Sequence, residues 1–86
     1  MFYTYVLYSS KFDEIYIGQT GNLETRFDKH NNGLVFSTKP FLPWKLIYYE
    51  EFKTRSEAMK REKELKSHKG RMFIRNELVR VRQLPD

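Results

Sequence analysis

The chain has 86 residues, a net charge of +5, a pI near 9.6 and no cysteine, which excludes disulfides and thiolate metal sites. A chain this short buries only about 60–65% of its unfolded surface, and no apolar run approaches the roughly 20 residues of a membrane span. One small domain over residues 1–86, with a monomer as the default state, is the expectation.

The basic balance suits a polyanionic partner, most often nucleic acid; the plainer alternative is a protein that is basic for solubility alone. Eleven of the sixteen Lys and Arg residues fall within 53–82. Six Tyr and seven Phe supply rings able to stack on bases, although strand aromatics more often build core. Residues 1–5 lack the basic region and apolar stretch of a signal peptide, so a cytoplasmic protein is expected.

Residues 2–8 are mostly aromatic or β-branched, which reads as a strand covered on both faces. A polar loop leads to a second strand at 15–19, and its shortness predicts an antiparallel hairpin. Symmetric closure pairs Tyr8 with Ile15, Leu7 with Tyr16 and Tyr5 with Gly18. Directly opposite residues share a face, so Tyr5 and Tyr16 lie diagonally on one face, and a one-residue slip separates them. Gly18 either leaves room for a ligand to approach the backbone or marks a bulge.

Thr20-Gly21-Asn22 is turn chemistry with Asn22 as N-cap. It opens a helix over 23–31 that stops at Asn32-Gly33. Leu23 and Phe27 form its apolar stripe, and Arg26 and His30, four apart, share one flank. A histidine so placed is more often a core-edge residue than a catalyst, and a lone arginine is ordinarily a solvated cation. Residues 34–43 read as a loop in which Lys39 is placed to meet a phosphate. Residues 44–52 form a third strand, whose position beside the hairpin the sequence leaves open.

Thr54 and Glu57 make a capping box for a helix running to about Lys66. Ala58 and Leu65 set its buried direction, with Met59 to one side. Glu62 falls between Ala58 and Met59, within that stripe, whereas Glu57 and Glu64 point away. An unpaired buried carboxylate costs several kcal/mol or protonates. Glu62 therefore requires a partner: an Arg or Lys, a tyrosine hydroxyl or a metal ion. Residues 67–70 break the helix, and a last one over 71–80 buries Ile74, Leu78 and Val81. Lys69, Arg71, Arg75, Arg80 and Arg82 make its remainder basic, and Asn76 points away from Ile74. Residues 84–86 read as a frayed tail.

The sequence has no Walker-type phosphate loop, no cysteine/histidine zinc cluster and no nucleophile elbow. Two tyrosines, an arginine, a histidine and one awkward glutamate remain. In their order they resemble the GIY-YIG nuclease superfamily, in its small stand-alone bacterial form. Tyr16-Ile17-Gly18 is the second signature itself. Tyr3-Thr4-Tyr5 stands where Gly-Ile-Tyr is usual, with only Tyr5 in common. Arg26 comes ten residues after Tyr16, and His30 one turn later, where that family carries histidine or tyrosine. Glu62, in the run 56–66, matches the family's metal-binding glutamate.

The resemblance implies an α+β fold, a three-stranded antiparallel sheet flanked by helices. It implies divalent-metal-dependent hydrolysis of DNA phosphodiester bonds, structure-directed or weakly sequence-specific, in DNA repair or recombination. The catalytic set is then Tyr5, Tyr16, Arg26, His30 and Glu62, with Glu62 holding Mg²⁺ or Mn²⁺. Arg26 grips a phosphate through its planar fork, and Tyr5 or Tyr16 helps to deprotonate the attacking water. A tyrosine of pKa about 10 is a poor base at neutral pH, so cations lower its pKa or it only orients the water. Arg26, Lys39, Lys69, Arg71 and Arg75 form the DNA-binding set. The alternatives are a catalytically inactive nucleic-acid-binding module on the same fold and a protein-interaction adaptor.

Overall fold

The computed structural model describes residues 1–80. Phe2–Ser9 forms β1 and Glu14–Thr20 forms β2, joined by a turn in which Asp13 adopts a left-handed backbone (φ 52°), a conformation that aspartate tolerates better than most residues. The hairpin register is Tyr8↔Ile15, Leu7↔Tyr16 and Tyr5↔Gly18, as symmetric closure predicts. β3, Lys45–Phe52, takes the other edge of β1, giving an antiparallel sheet of order β2-β1-β3. Trp44, expected in this strand, precedes it.

β1 is central because its side chains alternate between two packed layers. Tyr5 and Leu7 join Trp44 on one face, beneath Leu23 and Phe27 of helix α1, Leu23–Asn31. Val6 and Tyr8 join Ile17, Ile47, Leu65, Ile74 and Val79 on the other. That second face carries α2, Arg55–Lys66, and α3, His68–Phe73. Both long helices start on side-chain caps: Asn22 accepts from the Thr25 amide at 3.1 Å, and Thr54 and Glu57 close the capping box. The Thr4 hydroxyl donates to the Ala58 carbonyl at 2.6 Å. This explains the departure in the first signature: threonine keeps a β-branched shape at a buried position and also pins α2 to the central strand.

Three expectations need correction. The last helix begins at His68, not Arg71, because Ser67 ends α2 and caps α3 at once, its hydroxyl accepting from the Gly70 amide at 3.1 Å. The helix then winds as a π-helix over Ile74–Val79. In i→i+5 winding the turn is wider, so the fifth residue as well as the fourth lies near the starting face. Val79 is therefore buried with Ile74, while Leu78 is only partly covered. Finally, Met59 is 52% exposed, so the apolar face of α2 is a narrow line through Ala58 and Leu65, with Glu62 at its edge. Val81, Arg82 and residues 84–86 lie outside the described residues. No helix among the described residues is long and apolar enough to cross a membrane.

Candidate active site

The register that buries β1 also aligns the two signature tyrosines. Tyr5 and Tyr16 stand with ring centroids 6.2 Å apart. Gly18, directly opposite Tyr5, permits this: a Cβ there would lie 2.6 Å from the Tyr5 oxygen and 3.1 Å from the Tyr16 ring. The space at Gly18 is thus filled by the Tyr5 phenol, not left open for a ligand, and the hairpin runs through it without a bulge.

α1 lays Arg26 and His30 over this pair. His30 is fully buried, deeper than the core edge expected of it. Its ring packs against Tyr16 at 4.8 Å between centroids. Its Nε2 is 2.9 Å from the Tyr5 hydroxyl oxygen, and its Nδ1 is 2.9 Å from Thr38 Oγ1. Thr38 itself is 1% exposed. The Trp44 indole donates to the Thr38 carbonyl at 2.8 Å. Asn31 clasps the Trp44 backbone, accepting from its N–H at 2.8 Å and donating to its carbonyl at 3.0 Å. The 34–43 loop is thereby moored beneath the site.

Arg26 turns toward both phenols, and its charge and N–H donors act on each. Burial pushes the Tyr5 hydroxyl up to about 12, against the opposing pull of Arg26. Burial, with the Arg26 charge, lowers His30 to about 4. At neutral pH, then, Tyr5 is a protonated phenol and His30 a neutral imidazole. Tyr16 is only half-buried. Of the two phenols it is the one that reacting groups can reach.

Glu62 is close enough for its charge to bear on Tyr5. Its side chain is 22% exposed and paired with Lys66 Nζ at 2.6 Å, one turn along α2. The partner its position demands thus comes first from its own helix. Among the described residues there is no group of three or more His, Cys, Asp or Glu that could hold a metal ion. The donor set is a single reachable carboxylate. That fits Mg²⁺ or Mn²⁺, which take one or two protein carboxylates and complete their shell with water and substrate phosphate.

The structure brings Tyr5, Tyr16, Arg26 and His30 together, with Glu62 at their margin. Lys39 is exposed on the loop, next to buried Thr38. Lys69 and Arg71 are exposed on α3, on the other face of the sheet. Arg75 is engaged within the fold: its guanidinium donates to the Asp13 carboxylate at 2.6 Å and to the Asp13 carbonyl at 2.9 Å. Asp13 also accepts from the Tyr8 hydroxyl. Asn76 is exposed, as the helical wheel has it. Sequence reasoning missed Thr38. The signal was a histidine on the packed side of α1, whose buried ring needs a partner for each nitrogen.

A hairpin with paired tyrosines over a glycine, an arginine one helix later and a glutamate on the next are the parts of a GIY-YIG domain, and the chain belongs to that family: the model of the GIY-YIG catalytic domain matches residues 1–76. Members of this superfamily are typically nucleases that use divalent metals. The chain is similar to a UPF0213 protein of Staphylococcus saprophyticus, 42% identical over 66 residues that cover 76% of this chain and 79% of the relative. A UPF0213 protein of Clostridium perfringens is 43% identical over 63 residues, 72% of this chain and 67% of the relative. The solution NMR structure of a UPF0213 protein from Bacillus halodurans has the same three-stranded α+β fold, with a TM-score of 0.51 at 29% identity over 86% of this chain and 82% of that one.

Proposed function

We propose that this protein is a divalent-metal-dependent endonuclease that hydrolyses DNA phosphodiester bonds, structure-directed or weakly sequence-specific, in DNA repair or recombination. The observation that carries this reading is the Arg26 guanidinium set against a reachable Tyr16 phenol and a sealed Tyr5 phenol. Arg26 binds the scissile phosphate through two parallel N–H donors. The Tyr16 hydroxyl accepts a hydrogen bond from the attacking water and orients it toward phosphorus. Tyr5, held protonated by burial, positions Arg26 and is not the base. Glu62 would hold Mg²⁺ or Mn²⁺ at the edge of the site, with Lys66 turning out to solvent. The ion, when bound, polarises the phosphate and offsets charge on the leaving oxygen. Exposed Lys39, Lys69 and Arg71 add backbone contacts that position DNA without reading its sequence. The protein acts as a cytoplasmic monomer.

One observation favours a second reading, an inactive nucleic-acid-binding module: Glu62 is already neutralised by Lys66. Incubation with flapped, branched and plain duplex DNA, with Mn²⁺ and with EDTA, separates the two. Metal-dependent cleavage with a preference among the three substrates supports the nuclease. Binding without cleavage of any of them supports the module.

A further inference from the structure

We infer that Thr38 is a positioning residue: its hydroxyl accepts the Nδ1 proton of His30 and so, together with Tyr5 on the other ring nitrogen, holds the tautomer that directs the Tyr5 hydroxyl. The inference rests on the reading of the site given above only for its effect on rate.

Tyr5 is 1% exposed, so its O–H needs a partner inside the protein. Among the described residues the acceptor within hydrogen-bond distance is His30 Nε2, at 2.9 Å. Arg26, which also reaches the phenol, has only donors to offer, and Tyr16 and Glu62 act on it through charge without a hydrogen bond. Tyr5 therefore donates to Nε2, which must be bare. A neutral imidazole with a bare Nε2 carries its proton on Nδ1. Nδ1–H then donates to Thr38 Oγ1 at 2.9 Å, and the Thr38 hydroxyl in turn donates to the Val35 carbonyl at 3.3 Å. Every donor in the chain is used once, in one direction: Tyr5 to His30, His30 to Thr38, Thr38 to Val35.

The reverse polarity fails at its end. If Thr38 donated to Nδ1, Nε2–H would donate to the Tyr5 oxygen, and the Tyr5 proton would have no acceptor at a buried position. The depressed pKa of His30 keeps the ring neutral, so that both nitrogens cannot donate together. The consequence for the site is directional. With its proton turned inward to His30, Tyr5 presents lone pairs outward to the Arg26 guanidinium. Thr38 stands on the loop that carries exposed Lys39, moored by Trp44 and Asn31. The loop that meets solvent and the buried phenol are thus joined through one imidazole.

The test reads the ring directly. Long-range ¹H–¹⁵N correlation spectra of His30 in the whole, metal-free protein distinguish a protonated from a bare ring nitrogen and need no substrate. In the parent, Nδ1 is expected protonated and Nε2 bare. Thr38→Val, which keeps the shape and removes the hydroxyl, leaves one donor unpaired in either tautomer, Nδ1–H in one and the Tyr5 hydroxyl in the other, so part of the population is expected to move to the Nε2–H tautomer, and Thr38→Ser to restore the parental spectrum. On cleaved DNA, Thr38→Val should lower kcat about tenfold at unchanged DNA affinity, and Thr38→Ser should recover it. A parent spectrum with the proton on Nε2 overturns the inference without any variant. So does a Thr38→Val protein with the parental tautomer, or one whose tautomer changes while kcat stays at the parental value. If the parent cleaves no DNA, the nuclease reading fails, and the tautomer of parent, Val and Ser proteins alone decides the role of Thr38.

Discussion

Tyr5 is sealed and Tyr16 is reachable, and the proposed mechanism gives the two phenols separate tasks on that ground. On the proposed mechanism, removing the Tyr16 hydroxyl takes away the group that orients the attacking water. Tyr16→Phe should reduce kcat by about 10²-fold or more, the usual range for a lost acid–base or water-orienting group, with DNA affinity retained. Tyr5→Phe removes the donor to a buried ring nitrogen. It should destabilise the fold by about 1–3 kcal/mol and cost less in kcat than Tyr16→Phe. Single-turnover kinetics beside urea unfolding measures both; a larger rate loss for Tyr5→Phe would reverse the assignment. His30 adds a pH dependence. Its pKa falls from the ordinary 6.5 to about 4 in the fold, so the unfolded chain binds more protons between those values. Its stabilising effect is full above about pH 6.5 and is lost as the pH falls through 4, on the order of 3 kcal/mol in all. Unfolding free energies at pH 4.5 and 7 should differ more for the parent than for His30→Tyr, and an identical difference would contradict the buried neutral ring.

At the scale of the elements, the hairpin depends on Gly18 for steric reasons. A methyl group 2.6 Å from the Tyr5 oxygen cannot be absorbed by a flexible side-chain end, since the phenol is held at His30. Gly18→Ala should cost about 1–3 kcal/mol, as overpacking does, and should displace Tyr5 in the ring region of the NMR spectrum. Unchanged Tyr5 shifts would show that the clash relaxes elsewhere. The hairpin was legible in advance because alternation and loop length fix a register. α1 and α2 were legible because Asn22, Thr54 and Glu57 are cap residues with a stated partner. The π-helical winding was not: Ile74 and Leu78 have ordinary α spacing, and only packing selects Val79 in place of Leu78. The Glu62–Lys66 pair was present in the sequence as an i,i+4 contact but was obscured by reading Met59 as buried. Tyr5, Tyr16, Arg26 and His30 were legible through their order along the chain. Thr38 was not, because contact between a helix and a loop eight residues later depends on how Trp44 and Asn31 fold the loop back.

On the scale of the whole molecule, one face of the sheet carries α1 with Tyr5, Tyr16, Arg26 and His30, and the other carries α3 and α2, from which Glu62 reaches the margin of the site. The basic residues are divided likewise. Arg26 and Lys39 lie with the site, Arg61 and Arg75 are committed to Glu50 and Asp13, and Lys69 and Arg71 remain exposed. A small domain with this distribution should contact about three to five phosphates. Log K for DNA should then fall against log salt with a slope of about −3 to −5. Fluorescence anisotropy across a salt series reads this, and a flat response would remove DNA as the electrostatic partner.

The central claim, that these parts make a metal-dependent nuclease, meets its most direct test at Glu62. The carboxylate is partly exposed and its partner Lys66 is more so; breaking such a pair costs little, about 0–1 kcal/mol. Glu62→Gln should therefore fold as the parent does. The measurement is cleavage of branched DNA by parent and Glu62→Gln proteins, with Mn²⁺ and with EDTA, beside the DNA affinity of each. The parent should cleave with Mn²⁺ and stop in EDTA, while Glu62→Gln binds DNA within about twofold of the parent and loses cleavage by about 10²-fold or more, the scale of several kcal/mol of lost transition-state stabilisation. A parent that binds DNA and cuts none with Mn²⁺, or a Glu62→Gln protein that cuts as fast as the parent, would contradict the account.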